Sequence, residues 1–131
     1  MKKDIQSRTD IESLVNQFYL KVRKDDLLGP IFEESFKVDW DTHLVKMYNF
    51  WESILFHSGN YKGNPMNRHK ELHKKCPFTQ SLFERWLHLF NETVNQNFEG
   101  EIANKAKVRG LSIATVMQIK ILYPTDPQQN H

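Results

Sequence analysis

Apolar residues recur at every third or fourth position along four long segments of the chain, and no clear period-two strand stands out. Each of these stripes would line one face of a helix. The length of 131 residues suits one domain with one sizeable core. We therefore expect a single all-α domain over residues 1–131, with frayed ends at about 1–8 and 124–131.

Capping residues and glycines separate the four stripes. Residues that can cap a helix precede three of the stripes: Thr9-Asp10, Asp39 and Thr79. The second helix is expected over about residues 40–56, and Gly100 separates the third from the fourth. Gly110 lies on the apolar face of the fourth helix and predicts a close approach of another helix. Residues 65–75 are expected to form a short helix or irregular turn.

Composition argues against several function classes. The formal net charge is +2 without a basic run, which argues against a nucleic-acid partner. Cys76 is the single cysteine, so an internal disulfide is excluded, and no CxxC pair is present. The first residues lack the apolar core of a signal peptide, and no stretch is long enough to span a membrane. We expect a soluble cytoplasmic protein.

Three residues with polar tips lie on predicted apolar faces of different helices. They are Tyr19 on the first, His43 on the second and Trp86 on the third. Each alone is readily explained as a core residue, because a buried hydroxyl, imidazole or indole N–H usually finds a partner nearby. Together they indicate a central cavity that holds something able to accept hydrogen bonds.

His69 and His73 are four positions apart and would share one helical face. Such a pair can bind zinc together with an acidic ligand, but the motif is not the HExxH of metalloproteases. Haem iron needs only one imidazole from the protein. Spacing alone leaves three possibilities open: a haem protein, a helical zinc protein, and an interaction module whose aromatic residues serve only as core.

Several blocks of the sequence resemble group III truncated haemoglobins, in the same order and along nearly the whole chain. They are FYLKVR at 18–23 with LGPIF at 28–32, His43 with NFW at 49–51, PMNRH at 65–69, and FERWLHLF at 83–90. The chain also lacks the Gly-Gly motif typical of groups I and II.

This resemblance implies a two-over-two helical sandwich around haem b. It implies that His69 is the proximal iron ligand, with His73 as the alternative if the alignment shifts by one helical turn. It also places Tyr19, His43 and Trp86 on the distal side, where a small ligand would bind.

Donors on the distal side would stabilise negative charge on a bound ligand and slow its release. The chemistry expected is therefore nitric oxide or peroxide detoxification, similar to a nitric oxide dioxygenase or a peroxidase, rather than O2 storage. The expected partners are O2, NO, CO or peroxide and an unidentified reductase; a gas or redox sensor is the alternative, and His43 is a candidate gate. Candidate cofactor contacts are the apolar Phe32, Phe36, Met47, Phe50 and Ile113, with Lys46 and Arg68 for the haem propionates.

Overall fold

The structure, a computed structural model, describes residues 2–35, 37–59 and 78–122. Its α-helices are α1 (Arg8–Lys24), α2 (Trp40–Phe56), α3 (Gln80–Asn97) and α4 (Glu101–Met117). Two π-helical turns, Ile31–Ser35 and Gln118–Leu122, complete the assigned elements. No strand occurs in these ranges, so the predicted all-α class is confirmed. Residues 65–75, for which a short helix was predicted, lie outside them.

The helices pack as two pairs. Helix α1 packs on α2, α3 packs along α4, and α1 also contacts α3 and so joins the pairs. The predicted stripe of α1 is confirmed, since every one of its residues is buried: Ile11, Leu14, Val15, Phe18, Tyr19 and Val22. Among the residues that the structure describes, no helix is both long and apolar enough to cross a membrane.

Gly110 permits the close contact between α3 and α4. A Cβ atom added there would lie 3.0 Å from Cδ2 of Phe90, closer than ordinary van der Waals contact. Phe90 is almost fully buried and cannot move aside without disturbing the core. The close approach predicted at Gly110 is therefore confirmed, and Phe90 is the residue that makes it.

Helix starts agree with the sequence at two positions and differ at one. Asp39 and Thr79 occupy the N-cap positions of α2 and α3, as predicted; the Thr79 side chain accepts the Leu82 N–H, whereas the Asp39 side chain makes no cap hydrogen bond. Helix α1, however, begins at Arg8, after Ser7, and not after Thr9-Asp10. The Ser7 Oγ accepts the Asp10 N–H at 3.4 Å, and the Asp10 carboxylate accepts the Gln6 N–H at 2.8 Å. Asp10 thus supports the cap from inside the first turn.

The first turn of α4 takes its cap from the segment before α1. The Asp4 carboxylate accepts the backbone N–H groups of Ile102 at 2.9 Å and Ala103 at 2.8 Å. Burial alone would raise the pKa of Asp4, but these hydrogen bonds hold that pKa below its ordinary value. Gly100 makes room, because a Cβ there would lie 2.5 Å from Asp4 Cγ. With Ile5 only 2% exposed, this segment differs from the frayed start expected over residues 1–8.

Asp25 joins the end of α1 to α3. Its Oδ2 atom accepts the Leu28 N–H at 3.0 Å, its Oδ1 atom accepts Arg85 Nε at 2.6 Å, and its side chain is only 4% exposed. Burial opposes ionisation of Asp25, yet the Leu28 N–H and the Arg85 guanidinium hold the pKa of its carboxyl below the ordinary value. Because Trp86 follows Arg85, this ion pair also fixes the turn of α3 that carries Trp86.

Asp25→Asn is expected to lower the free energy of unfolding by about 1–2 kcal/mol at neutral pH, since the charged hydrogen bond to half-exposed Arg85 is lost. The pKa of Asp25 is depressed in the folded state. Its contribution is therefore present above the unfolded pKa, near 4, and is lost as the pH falls through the lower folded value. Urea unfolding of the unchanged protein and of Asp25→Asn measures the difference between their free energies of unfolding. This difference should be smaller at pH 3 than at pH 7. Asp26→Asn, at an exposed neighbour, is the control, and equal losses in both variants would contradict the role of Asp25.

Candidate functional site

Tyr19 lies inside a shell of aromatic rings drawn from three elements. Its ring centroid is 4.8 Å from that of Phe18, 6.2 Å from Phe32, 5.6 Å from Trp40 and 5.2 Å from His43. Most of these contacts are edge-on, the arrangement that aromatic pairs prefer. The residue is 6% exposed. The shell holds the phenol ring in one orientation and keeps water away from it.

Burial sets the protonation state of Tyr19. Desolvation raises the pKa of its hydroxyl well above the ordinary value of 10.0. The phenol is thus neutral at any physiological pH, and it keeps the proton it can donate. A neutral donor in a surrounding of low polarity forms stronger hydrogen bonds than the same donor in water.

His43 reaches the same region from the first turn of α2. Its ring stands edge-on to Tyr19 and to Trp40, with centroids 5.2 Å and 5.7 Å away. Its Nε2 atom is buried. Helices α1 and α2 therefore bring together two of the three polar-tipped residues that the sequence singled out.

Trp86 joins the cluster through Phe18. The Phe18 ring is edge-on to Trp86 at 5.6 Å and also contacts Tyr19. On its other side Trp86 stacks on Phe90 at 5.6 Å, and Phe90 stacks on Trp51 at 4.7 Å. The structure thus connects Tyr19, His43 and Trp86 through ring contacts in one aromatic cluster.

Four of the apolar residues proposed as pocket walls are only half-buried. They are Phe32, Met47, Phe50 and Ile113, all packed against the core. In α2 only Trp51 and Leu55 are fully buried, so much of its apolar face is incompletely covered. Lys46 is exposed on the same helix. Half-covered apolar side chains packed on the same core as a buried neutral donor suit a flat, largely apolar group with a polar ligand on one side.

The remaining candidates fall outside the described ranges. They are Phe36, Arg68, His69 and His73. Within the described ranges, no three His, Cys, Asp or Glu side chains are grouped to hold a metal ion.

Trp40 belongs to the cluster, although the sequence did not single it out. Its ring contacts Tyr19 and His43 and is stacked on Phe32 at 5.9 Å. Its position three residues before His43, on the same face of a helix, was the available signal.

The arrangement of helices and aromatic cluster is that of a globin of bacterial type, and residues 4–119 match the family model described as "Bacterial-like globin". "Group 3 truncated hemoglobin ctb" of Campylobacter jejuni is 38% identical over 121 residues, covering 90% of this chain and 93% of that protein. The crystal structure of group III truncated hemoglobin from Campylobacter jejuni is similar with a TM-score of 0.82 and 36% identity, covering 96% of this chain and 99% of that one. The chain belongs to the group III truncated haemoglobins.

Membership of this family confirms the truncated-globin fold, a two-over-two helical sandwich. It also establishes haem-based binding of small gaseous ligands in general terms. The residues of this chain fit that cofactor. The half-covered apolar side chains offer walls for a porphyrin, and the protonated Tyr19 offers a donor for a ligand beside it.

Proposed function

We propose that the chain holds haem b through His69 and binds O2, NO, CO or peroxide on the side of Tyr19, His43 and Trp86. Haem, when bound, would supply an iron able to bind one such ligand, and His69 is the residue that would hold it. Phe32, Phe36, Met47, Phe50 and Ile113 would line the macrocycle, with Lys46 and Arg68 near its propionates. The exposed position of Lys46 on α2 supports a role at the edge of the site.

The observation that carries this proposal is the buried, protonated hydroxyl of Tyr19 beside His43. A donor that is fixed before the ligand arrives needs no reorganisation to stabilise negative charge on it. His43 and the indole N–H of Trp86 are further donors in the same cluster. Several donors slow the release of O2, which suits chemistry on the ligand better than storage.

We therefore propose detoxification of nitric oxide or peroxide as the role, with electrons supplied by a reductase. Detoxification depends on slow ligand release and is specific to this proposal. Gas binding at haem is more general and is common to the family.

The direct test of haem binding is a visible spectrum of the purified protein, taken again after addition of haemin. We expect an intense Soret band and one haem per chain, because the half-covered walls leave apolar surface for the macrocycle. CO added to the reduced protein should shift the band. Absence of a Soret band after haemin addition would contradict the proposal, and a zinc assay would then examine the helical zinc alternative.

A further inference from the structure

Three side chains from different elements meet on the outer side of the aromatic cluster. The Glu33 Oε1 atom accepts the Trp40 indole N–H at 3.1 Å and the Arg23 Nε–H at 2.7 Å. The Arg23 guanidinium also lies over the Trp40 ring, 4.8 Å from its centroid. Arg23 is in the last turn of α1, Glu33 is in the π-helical turn, and Trp40 begins α2. We name this group the Arg23–Glu33–Trp40 latch.

The Trp40 ring also contacts two of the proposed ligand donors. The ring contacts Tyr19 with centroids 5.6 Å apart and His43 with centroids 5.7 Å apart. Phe32, the neighbour of Glu33, is stacked on it at 5.9 Å and also contacts Tyr19. One indole therefore links a charged surface pair to two of the proposed donors.

We infer that Glu33 and Arg23 are positioning residues that act through Trp40 to keep the rings of Tyr19 and His43 in one arrangement. Their role toward a ligand rests on the proposed function, whereas their hold on Trp40 does not. Glu33 orients the indole through its N–H, and Arg23 covers the ring face from outside. Both charged side chains are nearly half exposed, at 44% for Arg23 and 41% for Glu33. Loss of the latch should therefore loosen the ring without unfolding the chain.

The decisive variant is Glu33→Ala, and Glu12→Ala is its matched control. Glu12 forms an ion pair with Arg8 at comparable exposures of 43% and 34%, and that pair is separate from the latch. Glu33→Gln retains an acceptor for the indole and loses only the charge toward Arg23. Trp40→Phe retains a ring and loses the N–H donor. These variants separate the hydrogen bond from the ion pair.

Two NMR measurements test the latch without reference to haem. Solvent exchange of the Trp40 indole N–H should accelerate about threefold to tenfold in Glu33→Ala and remain unchanged in Glu12→Ala. The ring signals of Tyr19 and His43 should shift, because the Trp40 ring next to them changes its position. Glu33→Gln should show a smaller acceleration of the indole exchange and smaller shifts of the ring signals in the same direction.

A third measurement, in the haem-loaded protein, is the infrared stretching band of bound CO, which responds to nearby hydrogen-bond donors. We expect this band to shift or broaden in both Glu33→Ala and Trp40→Phe and to stay unchanged in Glu12→Ala. Unchanged ring signals of Tyr19 and His43 in Glu33→Ala would overturn the inference, as would faster indole exchange with an unchanged CO band. If the chain takes up no haem, the proposed function fails while the ring signals still decide the positioning role.

Discussion

His69→Ala is expected to abolish the intense Soret band of the haem-loaded protein, whereas His73→Ala is expected to retain it. A globin haem is held to the protein by one imidazole, so removal of that ligand has an all-or-none effect on its coordination. The resemblance to group III sequences assigns this role to His69 through the PMNRH block at 65–69. Both histidines lie outside the described ranges, so the choice between them rests on the sequence.

The measurement compares the spectra of the two variants and the unchanged protein after equal additions of haemin. Imidazole added to His69→Ala should restore the band, because a free ligand can replace the lost side chain; this rescue distinguishes loss of a ligand from loss of the fold. The reverse pattern, with the band lost only in His73→Ala, would transfer the ligand role to His73. A Soret band that persists in both variants would exclude both His69 and His73 as the required iron ligand.

Tyr19→Phe is expected to accelerate O2 dissociation by about tenfold to a hundredfold, the loss expected for one strong hydrogen bond to a charged acceptor. The substitution removes the hydroxyl and leaves the ring, so the contacts of Tyr19 with Phe18 and His43 persist. Stopped-flow displacement of O2 by CO measures the rate. Because burial raises the pKa of the Tyr19 hydroxyl, the unchanged protein keeps this donor protonated, and the ratio of the two dissociation rates should be independent of pH between about 6 and 9.

Tyr48→Phe is the matched control for this experiment. The Tyr48 hydroxyl donates to Asn16 at an exposed position, so its removal has the same chemistry away from the aromatic cluster. We expect an unchanged O2 rate in this variant. A Tyr19→Phe rate equal to that of the unchanged protein would contradict the donor role of Tyr19 and leave His43 and Trp86 as the candidate donors.

The helical segments and the buried face of α1 could be predicted from the sequence because both depend on local spacing, whereas in α2 only Trp51 of the predicted stripe is fully buried. The stripe of α1 and the bounds of α2 agree with the structure residue for residue. The polar contacts between elements could not be predicted. Asp25 and Arg85 are 60 residues apart, and Asp4 and Ile102 are 98 apart. Such pairs have no periodicity, and from the sequence every carboxylate in the chain is an equally good candidate.

The candidate site was predictable to the extent that it consists of polar tips on apolar faces. Tyr19, His43 and Trp86 were found in this way, and the structure brings them into one cluster. Trp40 was missed because its indole N–H turns outward to Glu33 while its ring faces the cluster. A residue that contacts both the surface and the core cannot be recognised from an apolar stripe, because a stripe shows only whether each position is apolar.

The cap on α4 has a consequence for the order in which the chain folds. Closing the 98 residues between Asp4 and Ile102 costs about 4 kcal/mol of chain entropy. The two partly exposed hydrogen bonds that the carboxylate accepts contribute about 1–2 kcal/mol each, so that together they do not exceed this cost. The cap therefore cannot draw the two segments together by itself and forms only after packing of the helices has shortened the path between them. The start of α4 is thus completed late and together with the segment before α1, so that these distant parts of the chain gain or lose their structure as one unit.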